Sequence, residues 1–219
     1  MNDADMGTVT FSDLSAVYQA LDRVQAIIQL GLDGTVITAN ENFLRIFGYE
    51  LEEIVGKHHR IFCEPSYAES PEYAEFWQKL GRGEYHSAEF KRLGKGGEAI
   101  WLRASYNPVL DQDGKPVKIV KFATDVTATR LRNAEYEGMV AAINRAQAVI
   151  DFELDGTVIS ANENFLRIFG YELDEIVGRH HRIFCEPGYA ESVEYAEFWQ
   201  RLGKGEYDAG EFKRIDKNG

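Results

Sequence analysis

The chain is poor in the residues that mark secreted, fibrous or membrane-spanning proteins. Two cysteines in 219 residues are too few for a disulfide framework, and reduced thiols are expected. Five prolines and 20 glycines leave no room for collagen-like or proline-rich tracts. No apolar run approaches the ~20 residues of a membrane helix. The opening MNDADMGTVTFSD lacks the basic and apolar regions of a signal peptide, so a cytosolic setting is expected. Lysine and arginine number 24 against 36 acids, a net charge of −12. That balance argues against nucleic acid and anionic membranes as partners. Catalytic signatures are missing too: the sequence has no P-loop, dinucleotide fingerprint, nucleophile elbow or zinc-protease motif. The expectation is a binding or signalling protein, not an enzyme.

What the sequence does contain is a long repeat. Residues 26–97 align without a gap to 148–219, an offset of 122, and 55 of the 72 positions are identical. ANENFLRIFGYEL stands at 39–51 and 161–173, and HHRIFCEP at 58–65 and 180–187. Solenoid periods run ~20–50 residues, so this is duplication of a whole domain. Gly219 corresponds to Gly97, and EAIWLRASYNPVLDQDGKPVKIVKFATDVT in the first copy has no counterpart in the second. Within it AIWLRASY and VKIVKFAT read as strands around Asp113-Gly114 and Pro116. The second copy is therefore expected to lack two strands and to expose a sheet edge.

Local patterns fill in one copy. Leu14, Val17, Leu21, Val24 and Ile28 recur at 3-4-3-4 spacing, with Ser12 as the expected N-cap. Tyr136, Met139, Ile143, Ala146 and Ile150 repeat that spacing before the second copy. Two heptads are short for a coiled coil, but they suit docking or pairing with a twin helix in a homodimer. A hairpin follows, AIIQLGL and TVITAN around Asp33-Gly34. Phe43, Ile46 and Phe47 then form a helical face, and LEEIVG a further turn. SPEYAEFWQKL reads as a helix with Ser70 as cap, Pro71 in its first position and Gly81 as stop. GEYHSAEFKRL is a strand and GKGG a tight turn. The class is α+β, divided into an N-terminal helix (1–24), a first domain (25–127), a helical linker (128–146) and an incomplete second domain (147–219).

In that order LDGTVITANENFLRIFGYELEEIVGKHH, EFWQKLGRGEY and FKRLGKGGEAIWLRASYNPVLDQDGKPVKIVKFATDVT resemble the PAS superfamily. HHRIFCEP, YAEFWQ and GEY together most resemble the tandem PAS domains of soluble methyl-accepting chemotaxis proteins of the energy-taxis and biofilm-dispersal type. The resemblance implies a five-stranded antiparallel sheet with helices on one face, enclosing a pocket for haem, a flavin such as FAD, or a small metabolite. It also implies that Asp125 and Thr127 pass the signal into the following helix and on to a downstream receptor signalling domain.

Candidate pocket residues follow from it. His58 or His59, and His180 or His181, are potential haem-iron ligands. The plainer reading is one histidine hydrogen-bonded locally and the other exposed. A metal site from His59, Cys63 and Glu64 is conceivable, although the ligand spacing is unusual. Light-sensing relatives place a cysteine where His59 stands in Gly56-Lys57-His58-His59-Arg60-Ile61, which argues against photochemistry of that kind. Flavin-binding aerotaxis receptors share Ala39-Asn40 with Phe43, Trp77 and Trp101, but have Gly-Glu-Pro-Trp where this chain has Gly83-Glu84-Tyr85-His86. Asn40, Trp77, His86 and Trp101, with Asn162 and Trp199 in the second copy, complete the cofactor candidates. Asn40 also suits a helix N-cap. Phe47, Phe76 and Phe90 read as core.

Overall fold

The computed structural model describes residues 10–219. It divides into two compact units, one running to Arg132 and one from Asn133 to Gly219. The expected helix over 1–24 lies partly outside the described residues.

The first unit opens with α1 (Phe11–Val24), capped by Thr10, two residues earlier than the expected Ser12. Thr10 and Asp13 form a reciprocal capping box, which satisfies two of the backbone groups a helix start leaves open. The apolar seam ends with the helix at Val24, because Ile28 belongs to β1 (Ala26–Leu30). β2 (Val36–Ala39), α2 (Glu41–Phe47), α3 (Leu51–Ile54) and a 3₁₀ turn at His59–Phe62 follow. Next are α4 (Pro65–Ala68), α5 (Pro71–Gly81), β3 (His86–Leu93), β4 (Ala99–Leu110) and β5 (Pro116–Asp125). Ser70 caps α5 with Pro71 in the first turn, as the sequence suggests.

The strands form one antiparallel sheet in the order β2-β1-β5-β4-β3. Ile28, Leu30, Ile119, Ala123, Leu102, Ala104, Tyr106 and Phe90 are buried on one face, the period of two expected of a half-buried sheet. The core they form includes Phe43 and Phe47 of α2, Phe62, and Phe76 and Leu80 of α5. Phe43 and Phe47 stack at 4.4 Å, and Phe62 meets both edge-on. The expected core aromatics Phe47, Phe76 and Phe90 all lie in this cluster.

Helix α6 (Thr127–Ala146) leads into the second unit. There β6 (Ile150–Phe152) and β7 (Val158–Ala161) form a two-stranded sheet, with Ile150 in strand and not on the helical seam. α7 (Glu163–Phe169), α8 (Leu173–Ile176), a 3₁₀ turn at His181–Phe184, α9 (Pro187–Ala190) and α10 (Val193–Gly203) repeat their counterparts. Residues 208–215 match β3 in sequence but form no strand. The second copy thus lacks three strands, one more than expected. The reason lies in the pairing: β3 hydrogen-bonds only to β4, and the second copy has no equivalent of β4 within this sequence.

Candidate ligand-binding interior

The inner face of the first sheet carries charge where apolar residues are the rule. Register places Ile28 opposite Lys121, Lys121 opposite Tyr106 and Tyr106 opposite His86, one row running across the sheet. Lys121 is 1% exposed and Arg92, further along β3, is 2% exposed. Above the row sits His59, wholly buried, with Nδ1 3.0 Å from the Tyr73 hydroxyl and Nε2 3.0 Å from the Tyr106 hydroxyl. Arg92 donates from Nη2 to Tyr106 at 3.4 Å and from Nη1 to the Lys91 carbonyl at 2.8 Å. Cys63 Sγ lies 3.8 Å from His59 Nδ1. Tyr106 therefore joins the histidine to the arginine.

Burial, then the charges of Arg92 and Lys121, holds the His59 imidazole well below its ordinary range. Burial likewise pushes the Lys121 amine well down, with Arg92 adding to the effect. It pushes the Cys63 thiol up, so the cysteine behaves as a buried thiol and not as an activated nucleophile.

The structure distributes the expected site residues unevenly. His59 and Trp77 are at this interior, their rings 5.5 Å apart. His58 is half-buried and caps the 3₁₀ turn, its Nδ1 accepting from the Arg60 N–H at 3.1 Å. Neither histidine is the exposed one of the plainer expectation. His86 occupies the exposed end of the row, against Phe76 and Phe90. Trp101 corrects the pocket expectation: it alternates with buried Ile100 and Leu102 and so points to the opposite face, where the Arg130 guanidinium lies 3.9 Å from its ring centre. Its backbone N–H donates to Thr127 Oγ1 at 2.8 Å, and the Thr127 N–H donates to Asp125 Oδ1 at 2.8 Å.

Asn40 is fully occupied by the fold. Its Oδ1 accepts from Ile27 and Phe43 N–H groups, and its Nδ2 donates to the carbonyls of Asp22 and Gln25 and to Asp22 Oδ1. Asn42 donates to the same two carbonyls. In the second unit Asn162 and Asn164 hold the carbonyls of Asn144 and Gln147 in the same way, and Asn164 also donates to the Arg145 carbonyl. These asparagines clamp the end of the preceding helix and are not free to bind a ligand ring.

The residues present do not suit haem. Both His59 nitrogens are engaged, and the His58 ring is packed so closely on Gly34 that a Cβ there would sit 2.7 Å from Nε2. The metal site fares no better: Glu64 turns to Lys91 at 2.7 Å, and no group of three or more His, Cys, Asp or Glu converges among the described residues. Where a flavin ring would need open space, the inner face of the sheet carries the fully buried side chains of Tyr106 and Lys121. The second unit, without counterparts of these two, has an apolar cavity of about 190 Å³ lined by Phe152, Phe165, His181, Phe212 and others. That is below the ~300–1,000 Å³ usual for cofactor pockets. His181 keeps the Nδ1 contact to Tyr195 at 3.0 Å, His180 Nδ1 lies 3.2 Å from the same hydroxyl, and Trp199 is 5.5 Å from His181.

Sheet order, the helices on one face and the duplicated sequence agree with the comparisons. The PAS fold family matches residues 36–123 and 158–219. The chain belongs to the PAS-fold family. The biofilm dispersion protein BdlA of Pseudomonas aeruginosa is 45% identical over 200 residues, covering 91% of this chain and 48% of that protein. The aerotaxis receptor of Escherichia coli is 28% identical over 113 residues, 52% of this chain and 22% of the receptor. The chain thus spans about half the length of the first relative and less of the second. An RNA-binding light-oxygen-voltage receptor structure is similar with a TM-score of 0.50 and 20% identity, covering 64% of this chain and 40% of that one; it speaks to the fold alone. The PAS interior here is distinguished by Arg92, Lys121, Tyr73 and Tyr106, none of which the sequence reading singled out. Their signal was the period of two: Phe90 and Arg92, and Ile119, Lys121 and Ala123, share a face.

Proposed function

We propose that this chain is the sensory input portion of a chemotaxis-type receptor, in which the state of a PAS interior passes through helices to a downstream signalling domain. The observation that carries this reading is the anchoring of α6. Its first residue binds the end of the sheet through Thr127, Asp125 and Trp101. Its last turn is held by Asn162 and Asn164. A change at the sheet thereby acts on one end of a continuous helix whose other end is gripped by the next PAS unit, a two-state element of the kind a ligand can bias. The likeness to BdlA and to the aerotaxis receptor supports a chemotaxis output. An attached kinase is the alternative output, since a blue-light-activated histidine kinase of Brucella anthropi shares 29% identity over 163 residues. No described helix is long and apolar enough to cross a membrane, in keeping with a cytosolic receptor. In the full-length receptor, Thr127→Val should abolish the stimulus-dependent change in swimming reversals while leaving the protein folded and abundant. An undiminished response rejects the relay.

A second reading has its own support. Leu14, Val17, Leu21 and Val24 on α1, and Tyr136, Met139 and Ile143 on α6, are exposed. Such seams suit a homodimer. Leu21→Glu with Val24→Glu should convert a dimer to a monomer in sedimentation; an unchanged mass rejects that seam.

A further inference from the structure

We propose that the interior of the first PAS domain is a binding site for a small organic carboxylate, held between Arg92 and Lys121 over the ring of Tyr106. The proposal deepens the sensory reading and rests on it.

Two basic side chains on the inner face of a small sheet need an explanation, because burying a cation without an anion is costly. Arg92 and Lys121 are 2% and 1% exposed. The ion pairs of the described residues involve neither of them. The Lys121 Nζ instead faces rings, 4.9 Å from the centre of Tyr106 and 5.9 Å from those of Phe43 and Phe47. Both Nη atoms of Arg92 have partners, but its Nε is buried with none. One edge of the guanidinium fork is thus unused, and that geometry matches a carboxylate. The Tyr106 hydroxyl adds a neutral hydrogen-bonding group between the two basic side chains. Phe43, Phe47 and Phe90 supply apolar walls for the body of an organic acid, which favours it over a strongly hydrated inorganic anion.

Access is through Tyr67. Its half-buried ring has the Arg92 guanidinium 5.4 Å from its centre, which makes it the side chain proposed to turn aside for the ligand. The second unit has Arg214 and Tyr189 at the equivalent positions but nothing in place of Lys121. One site per 219-residue chain is therefore expected.

Binding should also take up a proton. Lys121 is surrounded by Arg92 on β3, Tyr106 on β4, and His59 and Cys63 around the 3₁₀ turn, with no carboxylate among them. Burial holds its amine below the ordinary range, and an anion placed beside it restores the ammonium.

The test is calorimetric titration and thermal unfolding of the 219-residue chain with sodium acetate, propionate and benzoate, sodium chloride keeping ionic strength constant. At least one carboxylate should bind once per chain, raise the unfolding temperature saturably, and show proton uptake when two buffers of different ionisation enthalpy are compared. Arg92→Gln and Lys121→Met should each weaken binding at least tenfold. Lys121→Met should unfold at a higher temperature than the wild type without ligand, having lost a buried amine that no carboxylate faces, and this shows that the variant folds. No saturable binding by any of the three acids, equal stabilisation by chloride, or unchanged affinity in both variants overturns the site. A carboxylate that binds in this way but evokes no response from the full-length receptor overturns the sensory reading and leaves the site standing.

Discussion

Asparagine 40 ties α1 to the first PAS sheet, and its replacement by alanine gives a worked prediction. Two donors lose their acceptor outright, the Phe43 N–H at the start of α2 and the Ile27 N–H in β1. Loss of an N-cap costs about 1 kcal/mol, and an orphaned, part-buried amide costs about 1–2 kcal/mol more. The carbonyls of Asp22 and Gln25 fare better, because Asn42 also donates to them at 2.9 and 3.2 Å. The single change should therefore destabilise the first domain by about 2–3 kcal/mol, near 10 °C in its unfolding temperature. Asn42→Ala alone should cost less than about 1 kcal/mol, since Asn40 still serves both carbonyls. The double variant leaves both carbonyls bare, so its loss should exceed the sum of the two by about 0.5–1 kcal/mol. Thermal unfolding followed by circular dichroism gives the energies, and amide exchange at Ile27 should quicken in Asn40→Ala. A single variant within about 0.5 kcal/mol of wild type, or strict additivity of the pair, would refute the clamp.

Tyr106→Phe removes the hydroxyl that meets both His59 Nε2 and Arg92. It should lower stability by about 1–3 kcal/mol in urea unfolding, and a change below about 0.5 kcal/mol means that the hydroxyl is not what satisfies the histidine. Stability should also fall in mild acid. His59 is held neutral in the folded protein by burial, and His181 is lowered to about 4 by burial and then by Arg214. The unfolded chain takes up protons near pH 6.5, so the folded state is fully favoured above that value and loses ground as pH falls through it. The urea midpoint should be lower at about pH 5 than at about pH 7, and His59→Gln should reduce the difference; a higher midpoint at the acid pH contradicts the sign.

Much of this architecture is legible in the residues because it is local. The long ungapped repeat announces two domains, Ser70-Pro71 announces α5, and Asn40 before an apolar helical face announces a cap. The interior is less legible. In VKIVKFAT both faces carry apolar residues, Ile119 and Ala123 on one side and Val120 and Phe122 on the other, so the sequence does not say which face takes Lys121. Only pairing with β1 and β4 turns it inward. The expectation for Trp101 rests on a resemblance, which carries no strand register, and one step along a strand reverses the side. The seam through Leu14 and Val24 runs on to Ile28 at an unbroken spacing, yet the chain leaves the helix at Gln25. Heptad spacing alone contains no stop signal. Residues 208–215 show the limit of likeness: a segment that shares Glu-Phe-Lys-Arg with β3 is not a strand without a neighbour to bond.

The asparagine clamps also bear on how motion could enter each domain. They grip the main-chain oxygens of two positions three residues apart, Asp22 and Gln25 in one unit and Asn144 and Gln147 in the other. The main-chain bonds do not depend on the side chain, and Asp22 and its counterpart Asn144 each add a side-chain oxygen to the grip. A helix advanced by one residue, about 1.5 Å and 100°, would present a different pair of oxygens to the same amides. Smaller displacements would merely stretch the existing bonds. Each junction therefore acts as a detent, holding its helix in one of a few discrete seats and yielding only to a push large enough to reach the next.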